Sequence, residues 1–368
     1  MIYKVENESP NPVEQTTAPA GPAHAVAGHS ENSDSENSDL QMRLDLARQF
    51  GNTTIAYSTV CQPGLKYHYS HDGFQAYGTK WGYDYGLGDS VVAPSDTGKL
   101  LDEFIGSCKK KPCFVHITKP TAEALAERGY YINQFGVDTW LELDSYDFKG
   151  KTKEHFRYAA NWLNRRGYRV EEHSFSDIDQ RLPAEISRRW RATRPIKDRE
   201  VGFMNRPLVF QHEPDVRHFY LFDSDDNLQA FVYLDPVYEN GQIIGYSTVF
   251  KRRDPDAPAY AEQGIMKHCV EKLKQEGCQT LRLGLSPLAN MTDRTFKKRN
   301  GLIHFGWSYG FKAWWVNRYF YNLQGHAAFK RRFRGTEHPV YFATPVLIND
   351  VRIAGMLRLM GVLGGQKS

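Results

Sequence analysis

Apolar residues beyond residue 40 recur with two periods, one helical and one strand-like. A short amphipathic stretch, LQMRLDLARQF, opens the ordered chain at Leu40. From Tyr67 to Gly88 the sequence is crowded with Tyr, Gly, His and Trp, which predicts strands and turns. Leu100, Leu101, Phe104 and Ile105 predict a helix over Gly98–Ser107, followed by a strand, CFVHI, at Cys113–Ile117. A second helix is expected over Thr121–Arg128, with Thr121 as N-cap and Gly129 just past its end. The strand TWLELD, Thr139–Asp144, closes this half. Lys151–Arg166 then reads as a basic helix ending at Gly167. It sets Phe156, Ala160 and Leu163 on one face and Arg157, Asn161, Asn164 and Arg165 on the other.

The second half is more regular. VRHFYLF (Val216–Phe222), LQAFVYL (Leu228–Leu234) and IIGYSTVF (Ile243–Phe250), separated by the turns DSDDN and ENG, predict an antiparallel meander. A helix over Ala261–Glu276 follows, with Ile265, Cys269 and Leu273 in line, and then a strand at Thr280–Leu285. Meander, helix, strand is the order of an N-acetyltransferase-type core. The first half also has a helix, a polar turn and a Cys-led strand, so a duplicated unit is suggested without sequence identity between the halves. The expected fold class is α+β. It comprises two tandem acetyltransferase-like (GNAT-type) domains, each a mixed, mostly antiparallel sheet flanked by helices. The expected boundaries are a disordered tail over 1–40, a first domain over 41–150 and a linker helix and strand over 151–175. A second domain over 176–345 and a C-terminal helix over 346–368 complete the chain.

The 368 residues carry 47 Lys plus Arg against 43 Asp plus Glu, a net charge of +4 that conceals a strong asymmetry. Residues 1–40 hold one base and seven acids, with the near-repeat SENSDSENSD and too few apolar side chains to offset ordering entropy. The remainder therefore carries about +10. Arg294 to Arg334 holds ten bases and no acid, interleaved with aromatics. Such a segment points to a polyanionic partner, nucleic acid or an anionic lipid surface. No membrane-spanning run and no secretory signal are read, and five scattered cysteines without C-x-x-C fit a reducing compartment. A cytoplasmic protein is expected, either free or peripheral at the inner face of the membrane.

Motifs narrow the chemistry. His68-x-x-His71 lacks a companion acid pattern, so no metal is expected. P-loop and G-x-S-x-G patterns are absent. YDYGLG (Tyr83–Gly88) only approaches an acetyl-CoA signature, lacking its leading Gln or Arg. In LGLSPL, Pro287 is expected to end the strand at Ser286, leaving backbone groups open to a substrate carbonyl. Glu200, in DREVGF, suits either a structural ion pair or recognition of a substrate amine. In FYNLQGHAAFKRRFRG, a helix over Ala327–Phe333 would place Lys330 and Arg334 together and Arg331 apart. It reads either as a solvated basic helix or as a phosphate-binding one.

In this order, these segments resemble the C-terminal synthase part of the bacterial phosphatidylglycerol lysyltransferases, over roughly Gly51 to Gly365. YHYSHDGFQAYG and LGDSVVAPSD are similar to the family's aromatic strand pair and its Gly-Asp-Pro turn, with Ser90 in place of the proline. FKGKTKEHFRYAANWLNRRGY, REVGFMN and RRDPDAP are similar to its linker helix, its Glu-x-Gly-Phe segment and the basic run before Asp-Ala-Pro. LRLGLSPLAN and FYNLQGHAAFKRRF resemble its two most specific motifs. Two departures stand out. STVFKRR (Ser247–Arg253) carries no acid where the family usually has one, and only Glu262 could replace the acid of its Gly-x-Met-Asp. The family's multi-span flippase part is not seen.

The resemblance implies transfer of an aminoacyl group from aminoacyl-tRNA to phosphatidylglycerol, with no cofactor. Arg253, Lys330 and Arg331 would bind phosphates, and Glu200 and Glu262 would handle the amine or a proton. Ser286, Asn290, Tyr321 and Asn322 would line the transfer cleft, Ser286 and Tyr321 among the catalytic groups. The expected partners are aminoacyl-tRNA and an anionic phospholipid surface. Acyl transfer from acyl-CoA or an acidic acyl-carrier protein to a small amine is the alternative, and a non-catalytic RNA- or membrane-binding module is a further one. The apolar C-terminal run Val351–Gly365, punctuated by Arg352 and Arg358, reads as a packed terminal helix or an interfacial one.

Overall fold

A computed structural model describes residues 30–70, 72–194, 202–319, 321–347 and 350–362. The chain divides into two units, Met1–Asp39 and Leu40–Ser368. Helix α1 spans Ser30–Phe50, so order begins earlier than the expected Leu40. The disorder expected for residues 1–29 lies outside the described residues.

The first half continues with α2 (Ala56–Cys61), the hairpin strands β1 (Lys66–Ser70) and β2 (Gly73–Lys80), and β3 (Tyr83–Leu87). Next come α3 (Thr97–Ser107), β4 (Cys113–Ile117), α4 (Lys119–Glu127) and β5 (Tyr131–Glu142). The second half begins with α5 (Glu154–Asn164), β6 (Arg169–Glu172) and α6 (Arg181–Ala192). The meander β7 (Arg217–Phe222), β8 (Leu228–Glu239) and β9 (Gln242–Arg253) leads to α7 (Ala261–Gln275) and β10 (Thr280–Pro287). Three helices follow, α8 (Gly301–Lys312), α9 (Trp314–Tyr319) and α10 (Leu323–Arg331), before β11 (Thr336–Thr344) and α11 (Asp350–Leu359).

Among the described residues the strands form one sheet in the order β1-β2-β3-β4-β11-β5-β10-β9-β8-β7-β6. Each half is a meander, a crossover helix and a strand parallel to the last meander strand: β3 with β4, and β9 with β10. The closing strands are exchanged. β11, from the second half, lies against β4, while β5, from the first, lies against β10, and the two pair with each other over Thr336–Thr344. The fold is thus α+β, with two acetyltransferase-like halves fused through one mixed sheet.

Local differences from expectation have physical causes. Thr118, not Thr121, occupies the N-cap position of α4, because Pro120 is suited to the first turn; Thr121 is buried inside the helix. β5 starts well before Thr139, its early part carrying the buried polar residues Asn133 and Gln134 that blur a strand pattern. In α5 the buried alanine is Ala159, not Ala160. β10 runs through Ser286 to Pro287, which sits opposite Gly136 of β5. In α7, Ile265, Cys269 and Leu273 are all buried as the spacing requires. The C-terminal helix is packed: Met356 is buried, and the Tyr85 hydroxyl donates to the Arg352 carbonyl at 2.8 Å.

A buried ion network ties the halves. Arg206, with 1% of its side chain exposed, bonds Glu213 at 2.5 Å and Asp235 of β8 at 2.7 Å. Ser58 of α2 donates to Asp235 at 3.0 Å. Removing the guanidinium strands two buried carboxylates, so Arg206→Met should cost about 3–5 kcal/mol in urea unfolding. A loss below about 1 kcal/mol would show that the network does not clamp the fold.

Candidate active site

β9 and β10 pair only over Gly245–Ser247 and Thr280–Arg282. Beyond Arg282 the register of β10 against β5 shifts before resuming at Leu285, and Gly284 takes the left-handed conformation at φ +78°. The two parallel strands therefore part toward their carboxyl ends, the place where open sheets admit ligands. The first half repeats the device. β3 and β4 pair over Tyr85–Leu87 and Cys113–Val115, and His116 follows at φ +61°, at a register shift against β11. A non-glycine residue held there is the kind of strain that collects at functional sites.

Cations converge on the β9–β10 opening. Lys330, on α10, is 7% exposed, and its ammonium donates to the Leu285 carbonyl at 2.8 Å. Gly284 lies beside it, and its left-handed backbone conformation is one that glycine adopts without strain. Burial lowers the Lys330 pKa to about 7; Lys251 adds to that effect while Asp138 of β5 opposes it. Lys251, on β9, lies 3.0 Å from the Glu262 carboxylate in the first turn of α7, and its Nζ stands 3.2 Å over the Phe329 ring. Arg253 is 4.0 Å from the same carboxylate. Burial would raise the Glu262 pKa, but Lys251, Arg253 and Arg194 together hold it below the usual range.

Behind this opening lies a buried polar cluster. Asp138 is 3% exposed and accepts hydrogen bonds from Thr54 and from Trp140 Nε1, the latter at 2.9 Å. Burial pushes the His116 imidazole down to about 4, and Lys330 adds to that effect, so it is neutral at pH 7. His116 Nδ1, Asp138 Oδ1, Thr248 Oγ1 and His338 Nε2 are buried without a protein partner among the described residues. Orphaned buried polar atoms are rare elsewhere in proteins and gather where ligands or water enter.

The structure sorts the expected site residues. Lys330, Glu262 and Arg253 come together at the opening. Lys330 faces the interior rather than a solvated helix face, and Arg334, at φ +57°, lies beyond α10 altogether. Arg331 is exposed on the other side of that helix. Tyr321 is half-buried, its ring 5.6 Å from that of His326. Burial raises its pKa to about 12, so at neutral pH it is a donor rather than a base. Ser286 is buried and pairs with Val137, which packs with Ala327 of α10, placing the hydroxyl under that helix. Asn322 caps α10 by accepting from Gly325 N–H at 2.9 Å, and Asn290 donates to Glu337 at 2.6 Å. Both amides are thus engaged in shaping the chain. Glu200 and His71 lie outside the described residues. Lys251, Asp138 and His116 were not singled out from sequence; a lone His in CFVHI and a lone Asp in a strand carry no spacing signal.

A groove of about 980 Å³ lies elsewhere, between β6, β7 and α7, lined by residues including Glu172, Glu213, Asp215, Arg217 and His218. Its carboxylates are already paired, Glu172 with Arg217, Glu213 with Arg206 and Asp215 with Arg48. The strand opening, with its unpartnered polar atoms and its amine of lowered pKa, is the better candidate.

The family model described as phosphatidylglycerol lysyltransferase, C-terminal, matches residues 45–344. The chain belongs to this family. It is 26% identical over 264 residues to the phosphatidylglycerol lysyltransferase of Bacillus subtilis (strain 168), covering 70% of this chain and 29% of that protein. The chain thus spans under a third of the length of that curated relative. The structure of L-PGS from Bacillus licheniformis superposes with a TM-score of 0.71 at 16% identity, covering 88% of this chain and 96% of that one. A C-terminal domain assigned to a lysylphosphatidylglycerol synthetase of Agrobacterium fabrum gives 0.72 at 20% identity, covering 90% and 99%. At such identities the likeness establishes the fold. Among the described residues no helix is long and apolar enough to cross a membrane.

Within this family framework the two departures noted in the sequence meet at one place. Strand β9, whose segment Ser247–Arg253 carries no acid, contributes Lys251, and Glu262 pairs with it from α7. Lys330→Met removes a buried amine that is costly to ionise, so its thermal midpoint should equal or exceed that of the parent. Any transfer activity should fall at least about a hundredfold if the amine moves a proton. Activity within threefold of the parent would remove Lys330 from the site.

Proposed function

We propose that the chain is an aminoacyltransferase that moves an aminoacyl group from aminoacyl-tRNA to the hydroxyl of a phosphatidylglycerol-type lipid. The observation that carries this reading is Lys330. In a member of this family, an amine with a pKa of about 7 sits at the strand opening, held by a backbone carbonyl. In its neutral form Lys330 accepts the proton of the acceptor hydroxyl as the oxygen attacks the acyl carbon. The ester bond to the tRNA ribose then breaks, and the ribose oxygen takes that proton. Lys251 and Arg253 supply positive charge beside the developing negative charge, in a site shielded from water.

Acyl-CoA is a poorer donor here. Glu262 occupies the first turn of α7, where the pyrophosphate of a coenzyme would otherwise meet the helix N-terminus. The same charge balance bears on the acyl group. One carboxylate faces Lys251 and Arg253, with Arg194 acting on it as well. A lysyl side chain would add a further cation against this surplus, so a neutral or acidic aminoacyl group fits better.

Two measurements test this. With tRNA charged with the twenty amino acids and phosphatidylglycerol vesicles, mass spectrometry should find aminoacyl lipids bearing neutral or acidic residues, and tRNA digestion should abolish them. A dominant lysyl product would overturn the charge argument, and no product at all would overturn the proposal. The rate should rise with pH through about 7 and level off above it, because only deprotonated Lys330 acts as base. A profile flat from pH 6 to 8.5 would exclude that role.

A further inference from the structure

Helix α8 is apolar on both sides. Inward, Ile303 is buried, and Trp307 packs edge-on against Phe135 at 5.1 Å and Phe342 at 5.5 Å. Asn300 anchors its start, accepting from the Leu302 and Ile303 amides at 3.1 and 3.2 Å. Outward, Leu302 is 73% exposed, Phe305 72% and Tyr309 58%. Spaced three and four residues apart, they share one face of the helix. Trp314, 66% exposed, and Tyr319, 57% exposed, extend that surface onto α9. A helix apolar all round belongs in an apolar medium, and here half of it meets water.

The surroundings of this face specify the medium. Lys297, Arg299, Lys312 and Arg318 are exposed on and beside α8 and α9, and the whole span Arg294–Arg334 contains no acid. Exposed Leu and Phe, exposed Trp and Tyr, and exposed Lys and Arg on the same two helices are the residue types that bind the apolar boundary, the interface and the headgroups of an anionic bilayer. RNA would engage the bases and the aromatic rings but would leave Leu302 in water.

We propose that the outer face of α8 and α9 docks this protein on an anionic phospholipid bilayer. The proposal rests on the lipid-acceptor reading only for its purpose, since docking itself needs no transfer. Its position suits delivery of a lipid headgroup. Gln324 of α10 donates to the Phe311 carbonyl of α8 at 3.0 Å, and its backbone amide donates to Asn317 of α9 at 2.9 Å. The docking helices are therefore tied directly to the helix that carries Lys330.

The test compares the parent with Leu302→Ser/Phe305→Ser in flotation with phosphatidylglycerol–phosphatidylcholine vesicles and with phosphatidylcholine vesicles alone. The parent should float with the anionic vesicles, lose most of that binding at 0.5 M salt (about a 4 Å screening length), and show Trp quenching by brominated lipid. The double variant should bind about tenfold or more weakly with an unchanged thermal midpoint. With charged tRNA it should transfer to vesicle lipid about tenfold more slowly, yet to water-soluble short-chain phosphatidylglycerol within about twofold of the parent. Equal vesicle binding by both proteins overturns the proposal. So does a shift from dimer to monomer in the variant, or weakened tRNA binding with vesicle binding intact. Parent protein that floats yet acylates neither acceptor leaves the docking face standing and removes the transfer reading.

Discussion

The antiparallel ladder between β5 and β11 is the constraint from which the rest follows. Each is the last strand of one half, and each pairs outward with the other half's parallel strand, β10 or β4. Neither half can complete its sheet alone. Because main-chain hydrogen bonds across a buried sheet cannot be left unmade, the exchange locks two repeated units into one body. The Arg206–Glu213–Asp235 network reinforces the junction, because Ser58 of the first half donates to the buried Asp235 carboxylate.

The same ladder sets the chemistry. With β5 held against β10, the register shift after Arg282 cannot be relaxed by sliding, and β10 must leave β9 at Gly284. Into that gap α10 directs Lys330, while β9 and α7 bring Lys251 and Glu262. Asp138, on β5 itself, lies close enough to oppose the depression of the Lys330 pKa. The candidate site thus draws on both halves, although its nearest side chains belong to the second. Low exposure, not sequence context, turns an ordinary lysine into an amine that titrates near neutrality.

Much of the framework was legible because its periods are clean. The meander from Val216 to Phe250, the α7 stripe and the CFVHI strand all follow from spacing alone, and the family resemblance rested on motifs whose order the fold retains. Where the reading slipped, a local rule met a stronger tertiary one. Pro287 remains in the ladder because Gly136 opposite it tolerates the close approach. Asn322 and Asn290 were grouped with the cleft by motif, yet their amides serve a helix cap and a strand contact. α8 and α9 were not anticipated, since a helix apolar on both faces has no amphipathic signature.

The sequence by itself determined the elements of clean period, the acid-free basic stretch and the family, because these depend on residue type, order and local periodicity. Only the tertiary structure decided which cations are sheltered and which face outward. Lys330 and Arg331 are neighbours in the chain, but the helix turns one into the strand opening and leaves the other in solvent. His116 and Asp138 come from the first half and Lys330 and Lys251 from the second, and the two sets meet because the halves trade their last strands. Electrostatic energy depends on distance and on exclusion of water, and both are set by packing rather than by composition.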